Sequence, residues 1–265
     1  MCGRFALTAT PDQVRQLFRY IEKPEFPERY NICPNQPIAI VKNEHGGRHF
    51  DLARWGLIPS WVKDPASFTL LINARAETIL EKPSFRNAMK HRRCLIPMSG
   101  FYEWRRTPSG KQPYFFARPD GEPFAVAGIW ETFCDPAGGE LDTAALITVE
   151  ANGVMKPIHH RMPAIIQPDG FDEWLDTGNI RDKEAFKQLH AAADDVLVAW
   201  PVSQRINMPT NDDPSLIEEY SPQDEEENYL PNQLAKRNAV KERELKGAHA
   251  DDSDDEPAQE QLKLI

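Results

Sequence analysis

The sequence predicts an α+β fold, with a curled antiparallel β-sheet forming a β-barrel-like core and helices packed outside it. Three observations carry that expectation. Short β-prone runs outnumber helical ones, turn signals separate several neighbouring runs as hairpins would, and one capped amphipathic helix opens the chain. That helix begins at TPDQ (10–13), where Thr10 caps, Pro11 suits the first turn and Gln13 completes a capping-box pattern. Val14, Leu17 and Phe18 then line up as its apolar face. The strand candidates are PIAIV (37–41), RCLIPM (93–98), PYFFA (113–117), FAVAGIW (124–130), TAALITV (143–149), AII (164–166) and VLVAW (196–200). HGG (45–47), PSG (108–110), PDG (119–121) and PAGG (136–139) supply the turns. Further helices are expected over 84–92, 171–175 and 182–193, and no internal repeat is visible.

A chain of 265 residues, 40% of them hydrophobic, can bury a substantial core. No apolar run approaches the ~20 residues needed to cross a bilayer, and the first residues lack a signal-peptide layout, so no membrane partner is expected. Cys33, Cys94 and Cys134 show no CxxC spacing, so neither a zinc site nor a disulfide framework is suggested, and no metal or cofactor is expected. Free thiols suit a reducing, cytoplasmic compartment. The formal net charge is −10, yet 12 acidic and 6 basic residues lie beyond residue 220, leaving −4 on the body. A local basic patch for nucleic acid is compatible with that balance. The chain thus divides into a folded domain, 1–220, and an acidic tail, 221–265, expected to be disordered save a marginal helix at 234–245. The sequence names no partner for the tail and favours a monomer.

Chemistry-bearing residues concentrate in four islands: MCGRF (1–5), LINARAE (71–77), SGFYEW (99–104) and IHHRMP (158–163). Each has an ordinary alternative. Cys2 could be a cysteine that merely survived, Asn73 a turn residue and Arg75 a solvated charge. Glu103, between Tyr102 and Trp104, is either a paired structural acid or an acid/base group in an apolar setting. His159 and His160 are too close in sequence to chelate one metal comfortably. Trp55, Trp61, Trp104 and Trp130 read more readily as core than as platforms for stacked bases. Cys2 stands apart for a chemical reason. If Met1 is removed, it carries a free α-amine and a thiol two carbons apart, which titrate near ~8 and ~8.5 when unperturbed.

MCGRF, RYNICP (29–34), WGLIPSW (55–61), INARAE (72–77), CLIPMSGFYEW (94–104) and IHHRMP resemble, in order, the signatures of the SRAP family of SOS-response-associated proteins, which process abasic sites in DNA. The resemblance continues through VSQRINMPTNDDPSLIE (202–218) and so spans most of 1–220. It implies a single-stranded DNA channel and a covalent link between Cys2 and the abasic deoxyribose. It further implies that Asn73 positions Cys2 or the opened sugar, that Glu103 shuttles protons, and that His159 serves the sugar oxygen, with His160 at a variable position. Arg4, Arg75 and Arg161 match basic positions that grip phosphates. Pro34, in RYNICP, belongs with this expected DNA-contacting set, and Trp61 would offer a π-face to a flanking base. The family often has a second aromatic after that Trp, where this chain has Val62.

The residue chemistry agrees with that implication. A ring-opened abasic site is an aldehyde, an amine condenses with it to an iminium, and a thiol two carbons away can close on the same carbon. The product is a five-membered thiazolidine, favoured by its intramolecular closure. An internal cysteine has its nitrogen locked in an amide and cannot do this. Two other readings stay open. An N-terminal Cys with Asn, Glu and His could be a thiol peptidase or amidohydrolase, in the narrowest case one that only removes its own Met1. The chain could also be a single-stranded DNA module with an incidental Cys2.

Overall fold

All six residues of the strand Arg93–Met98 are buried, so both of its faces must be covered. A sheet closed on itself, with helices outside, provides that cover. The computed structural model describes residues 2–108, 110–135 and 138–220, and those up to Glu219 belong to one compact unit. The expected tail and its helix at 234–245 lie outside the described residues.

The strands are β1 (Phe5–Leu7), β2 (Arg29–Ile32), β3 (Pro37–Glu44), β4 (Gly47–Trp55), β5 (Asn73–Arg75), β6 (Arg93–Met98), β7 (Gly100–Thr107), β8 (Gly110–Ala117), β9 (Phe124–Cys134), β10 (Glu140–Glu150), β11 (Arg161–Pro163), β12 (Ile165–Ile166) and β13 (Val198–Pro201). The helices are α1 (Pro11–Phe18), α2 (Ala76–Ile79), α3 (Arg86–His91), α4 (Phe171–Leu175) and α5 (Asp182–Ala185). Strands β10, β4, β3, β6 and β9 form a ring, because β9 pairs back onto β10 from Cys134↔Glu140 to Gly128↔Leu146. The closing partner on the other side is parallel, β10 with β4 at Thr143↔Arg54. Strands β5, β11 and β12 extend the ring's edges, and a separate sheet runs β13-β8-β7-β1-β2. The fold is therefore the expected α+β barrel with few helices.

The sequence signals for α1 hold in detail. Thr10 Oγ1 accepts from the Gln13 N–H, and Gln13 Oε1 accepts from the Thr10 N–H. Val14 and Phe18 are buried, Phe18 stacking on Phe171 of α4 at 5.3 Å. Helix α4 is fastened to β6 by Trp174 Nε1, which donates to the Cys94 carbonyl, and by the buried Arg93 guanidinium, which donates to the Trp174, Asp176 and Ile180 carbonyls.

Two expectations need correction. The helix over 182–193 stops early: α5 passes into a 3-10 turn at Phe186–Gln188. Beyond it, the Leu189 and His190 N–H groups donate to the Phe186 and Gln188 carbonyls in tighter turns, and Asn152 Nδ2 on the Ala192 and Ala193 carbonyls and Asp194 Oδ1 on the Gly153 N–H tie the segment to residues 152–153. The PDG turn at 119–121 forms, with Gly121 at φ 73°, but it joins no hairpin. It carries the chain out of the five-stranded sheet, where β8 pairs with β7 and β13, into the barrel at β9.

The N-terminus is where this architecture matters most. First residues usually fray, yet β1 lies between β2 and β7, with Phe5 opposite both Ile32 and Phe101. Phe5 is fully buried and meets the Trp55 ring edge-on at 5.1 Å, a burial that contributes about 1.5–3 kcal/mol. On the other side of β7, the approach of β8 depends on Gly100, where a Cβ would sit 2.2 Å from the Phe115 ring and 2.6 Å from the Phe116 carbonyl oxygen. Phe5 thus anchors the segment that carries Cys2.

Candidate functional site

The antiparallel register of β1 on β7, continued by the Tyr102 N–H donating to the Arg4 carbonyl, carries residues 2–4 alongside 102–104. Cys2 is buried at 1% exposure, and Asn73 Nδ2 donates to its carbonyl at 2.8 Å. That bond fixes the amide's orientation and turns Asn73 Oδ1 inward, where it is buried with no hydrogen-bond partner among the described residues. An unsatisfied buried acceptor beside Cys2 is a costly feature in a fold and a useful one in a site. Asn73 is held there because β5 pairs in parallel with β10, Asn73 opposite Leu146.

Glu103, on β7, is buried at 3% exposure. His159 precedes β11, and its Nδ1 lies 3.7 Å from Glu103 Oε1. Both the N–H and the carbonyl oxygen of Arg161 lie within hydrogen-bond distance of the same Nδ1, at 3.0 and 3.1 Å, so the backbone of β11 holds the ring in place. Burial lowers the His159 pKa below the ordinary imidazole value, and the Glu103 charge opposes that shift only partly. The Cys2 thiol moves the other way. Burial pushes it far above the usual thiol range, and the Glu103 charge raises it further. This corrects the sequence expectation of a thiol partly ionised near neutrality, because an unperturbed value presumed solvent that the fold removes.

Glu103, His159 and His160 line an open cleft of about 540 Å³. Its other walls carry Arg105, Arg106, Lys111 and Lys156, all exposed, which sequence reasoning missed. The signal was present in WRR (104–106), directly after the glutamate that was singled out. Among the described residues, no group of three or more His, Cys, Asp or Glu could hold a metal ion.

The expected phosphate-contacting residues divide into two kinds. Arg75 is exposed at the end of β5. Arg4 is committed within the protein, Nη1 donating to Asn31 Oδ1 and to the Ile206 carbonyl, both at 2.8 Å. Arg161 is buried, forks onto both carboxylate oxygens of Glu77 at 2.6 and 3.0 Å, and donates to the Thr148 carbonyl. Pro34 is half-buried in the turn between β2 and β3. Trp61 is 56% exposed, and Phe68 meets its ring edge-on at 5.6 Å. Val62 instead packs inward with Ile58 and Phe133, so Phe68 is the aromatic companion that the residue after Trp61 does not supply.

A family profile described as SOS response associated peptidase (SRAP) matches residues 1–209. The chain belongs to the SRAP family. Among its SRAP relatives, the abasic site processing protein YoqW of Bacillus subtilis is 38% identical over 225 residues, covering 83% of this chain and 100% of that protein. The abasic site processing protein HMCES of Xenopus tropicalis is 32% identical over 263 residues, covering 82% of this chain and 78% of its own. A crystal structure of a protein from Bacteroides thetaiotaomicron superposes with a TM-score of 0.75 at 26% identity, over 83% of this chain and 100% of that one. Cys2, Asn73, Glu103 and His159 therefore sit on an SRAP scaffold, drawn together from the N-terminal strand, β5, β7 and the segment before β11.

Proposed function

We propose that this SRAP protein captures abasic sites in single-stranded DNA by forming a thiazolidine between Cys2, freed of Met1, and the ring-opened deoxyribose. The observation that carries this reading is the burial of Cys2 against Asn73 and within the field of Glu103. The relatives' names, abasic site processing protein, support the same substrate class.

In this reading the α-amine adds to the sugar aldehyde, and loss of one water gives the iminium. The thiol then adds to the same carbon and releases its proton, so that aldehyde and aminothiol combine with net loss of water. Because the fold keeps the thiol protonated, sulfur attack needs a base, and Glu103 is buried beside it. The neutral His159 serves the sugar oxygen as the ring opens. Asn73 Oδ1 accepts from the amine or a sugar hydroxyl. Arg75 contacts phosphate, Trp61 and Pro34 meet the strand, and Arg4 and Arg161 brace the walls. The protein acts as a crosslinking, lyase-like enzyme, with no cofactor in any step.

Incubation of the mature protein with an abasic single strand should give a heat-stable adduct on a denaturing gel, and Cys2→Ala should abolish it. A normal yield of stable adduct from Cys2→Ala would overturn the proposal. Turnover of added peptides without any adduct would favour a thiol peptidase instead.

A further inference from the structure

We propose that His160 is a positioning residue for His159, covering one face of the His159 imidazole and holding that ring toward Glu103. This inference rests on the proposed function, which gives His160 no step of its own, and adds a residue to it.

Three observations lead there. First, the two rings pack together, with centroids 4.4 Å apart and planes 33° from parallel. Successive side chains of a strand point to opposite faces, so neighbours meet in this way only where the chain bends. It bends at His160. The His159 N–H donates to the Met155 carbonyl, and the His160 carbonyl accepts from the Ala151 N–H, so both residues are tied through the backbone where their rings meet. Second, the other contacts of the His159 ring gather at one atom of its edge. The Arg161 N–H and carbonyl oxygen lie 3.0 and 3.1 Å from Nδ1, and Glu103 Oε1 lies 3.7 Å from it. Contacts at a single atom leave a ring free to tilt about it, and a second ring laid on its face removes that freedom. Third, both histidines line the cleft, but His159 is half-buried and His160 is exposed, so part of what keeps water off His159 is the His160 ring. Burial is the strongest influence on His159. Of the charged groups around it, Glu103 on β7 favours its protonated form, and the N-terminal amine and His160 oppose it. Lys156, Arg105, Arg106 and Lys111 line the same cleft. Loss of the His160 side chain removes cover and charge together, and both losses ease protonation of His159.

The test uses the full chain with His160→Ala and His160→Phe, two changes at an exposed position. The first measurement needs no DNA: the His159 imidazole is titrated by NMR. His160→Ala should move its midpoint up, and His160→Phe, which keeps the cover, should leave it closer to the wild-type value. The second is single-turnover crosslinking to an abasic single strand at saturating protein. His160→Ala should slow it by about 2–10-fold, the worth of one aromatic pair, with the loss growing as pH falls. His160→Phe should recover most of the rate. In a His159→Ala background, His160→Ala should slow the reaction no further, because a residue that acts through another then has nothing to act on. A wild-type titration and wild-type rates in His160→Ala would overturn the proposal. So would an equal loss in His160→Phe, which marks proton transfer by the His160 nitrogens, or a loss that persists in full in the His159→Ala background, which marks a contact with the strand. The expected shift in titration with no adduct from wild type would instead contradict the proposed chemistry and leave the hold of His160 on His159 standing.

Discussion

Cys2 meets its partners in a setting that opposes ionisation of its own thiol, since burial and the Glu103 charge both push it up. In the proposed reaction the proton on sulfur must therefore leave, and Glu103 is the acid buried within its field. Glu103→Gln keeps shape and hydrogen-bonding capacity but cannot take that proton, so adduct formation and reversal should slow by roughly 10²–10⁴-fold in single-turnover assays. Equal rates in both proteins would make Glu103 a structural acid. His159 carries a pH prediction of its own. Its depressed pKa keeps the imidazole neutral through the ordinary value near ~6.5. The ratio of wild-type to His159→Ala rates should stay constant above that pH and fall as acid protonates the ring below it. At this scale the sequence was informative where a residue's identity is its chemistry. An aminothiol at position 2 and a glutamate between aromatics are visible in the letters. What was not visible is occupancy: Arg4, Arg75 and Arg161 look alike in sequence, and only the fold shows that two of the three forks are filled.

The elements that hold the site are mostly short, and their shortness explains which were legible. β-branched and aromatic runs such as 93–98 and 124–130 announce strands through their own composition. Strands β1, β5 and β11 are three residues each and exist because neighbouring strands pair with them, β5 and β11 along β10 and β1 between β2 and β7. Ring closure between β9, β10 and β4 is equally hidden, being a long-range pairing that includes a parallel contact. Strand β11 owes its position partly to Glu77, at the start of α2, which grips the buried Arg161 with both oxygens. Glu77→Gln should cost about 1–3 kcal/mol, read as a lower melting temperature. The hydrogen bond from Arg161 holds the Glu77 carboxyl below the usual range. The stability it contributes is thus complete above its unfolded value of ~4.3 and lost as pH falls through the depressed folded one. The melting difference between wild type and Glu77→Gln should follow that course. A difference independent of pH would assign the loss to packing.

Across the whole molecule, charge and access decide what can reach the site. The body carries −4 of the net −10, and exposed cations line the cleft beside Glu103 despite that balance. A stacked duplex would hide the sugar carbon, so an abasic site in a single strand should crosslink far faster than one inside a full duplex. Comparable rates on the two would count against the cleft as the route of entry. The acidic residues beyond 220 should repel DNA, and a chain ending there should crosslink at least as fast as the full one, with the difference growing at low salt. The measurement that bears most directly on the central claim is the mass of the adducted N-terminal peptide after digestion of protein and DNA. The account predicts a peptide beginning at Cys2, without Met1, bearing the sugar remnant with loss of one water and unchanged by borohydride. A remnant on an internal lysine, or one that borohydride converts to a secondary amine with the thiol left free, would contradict it.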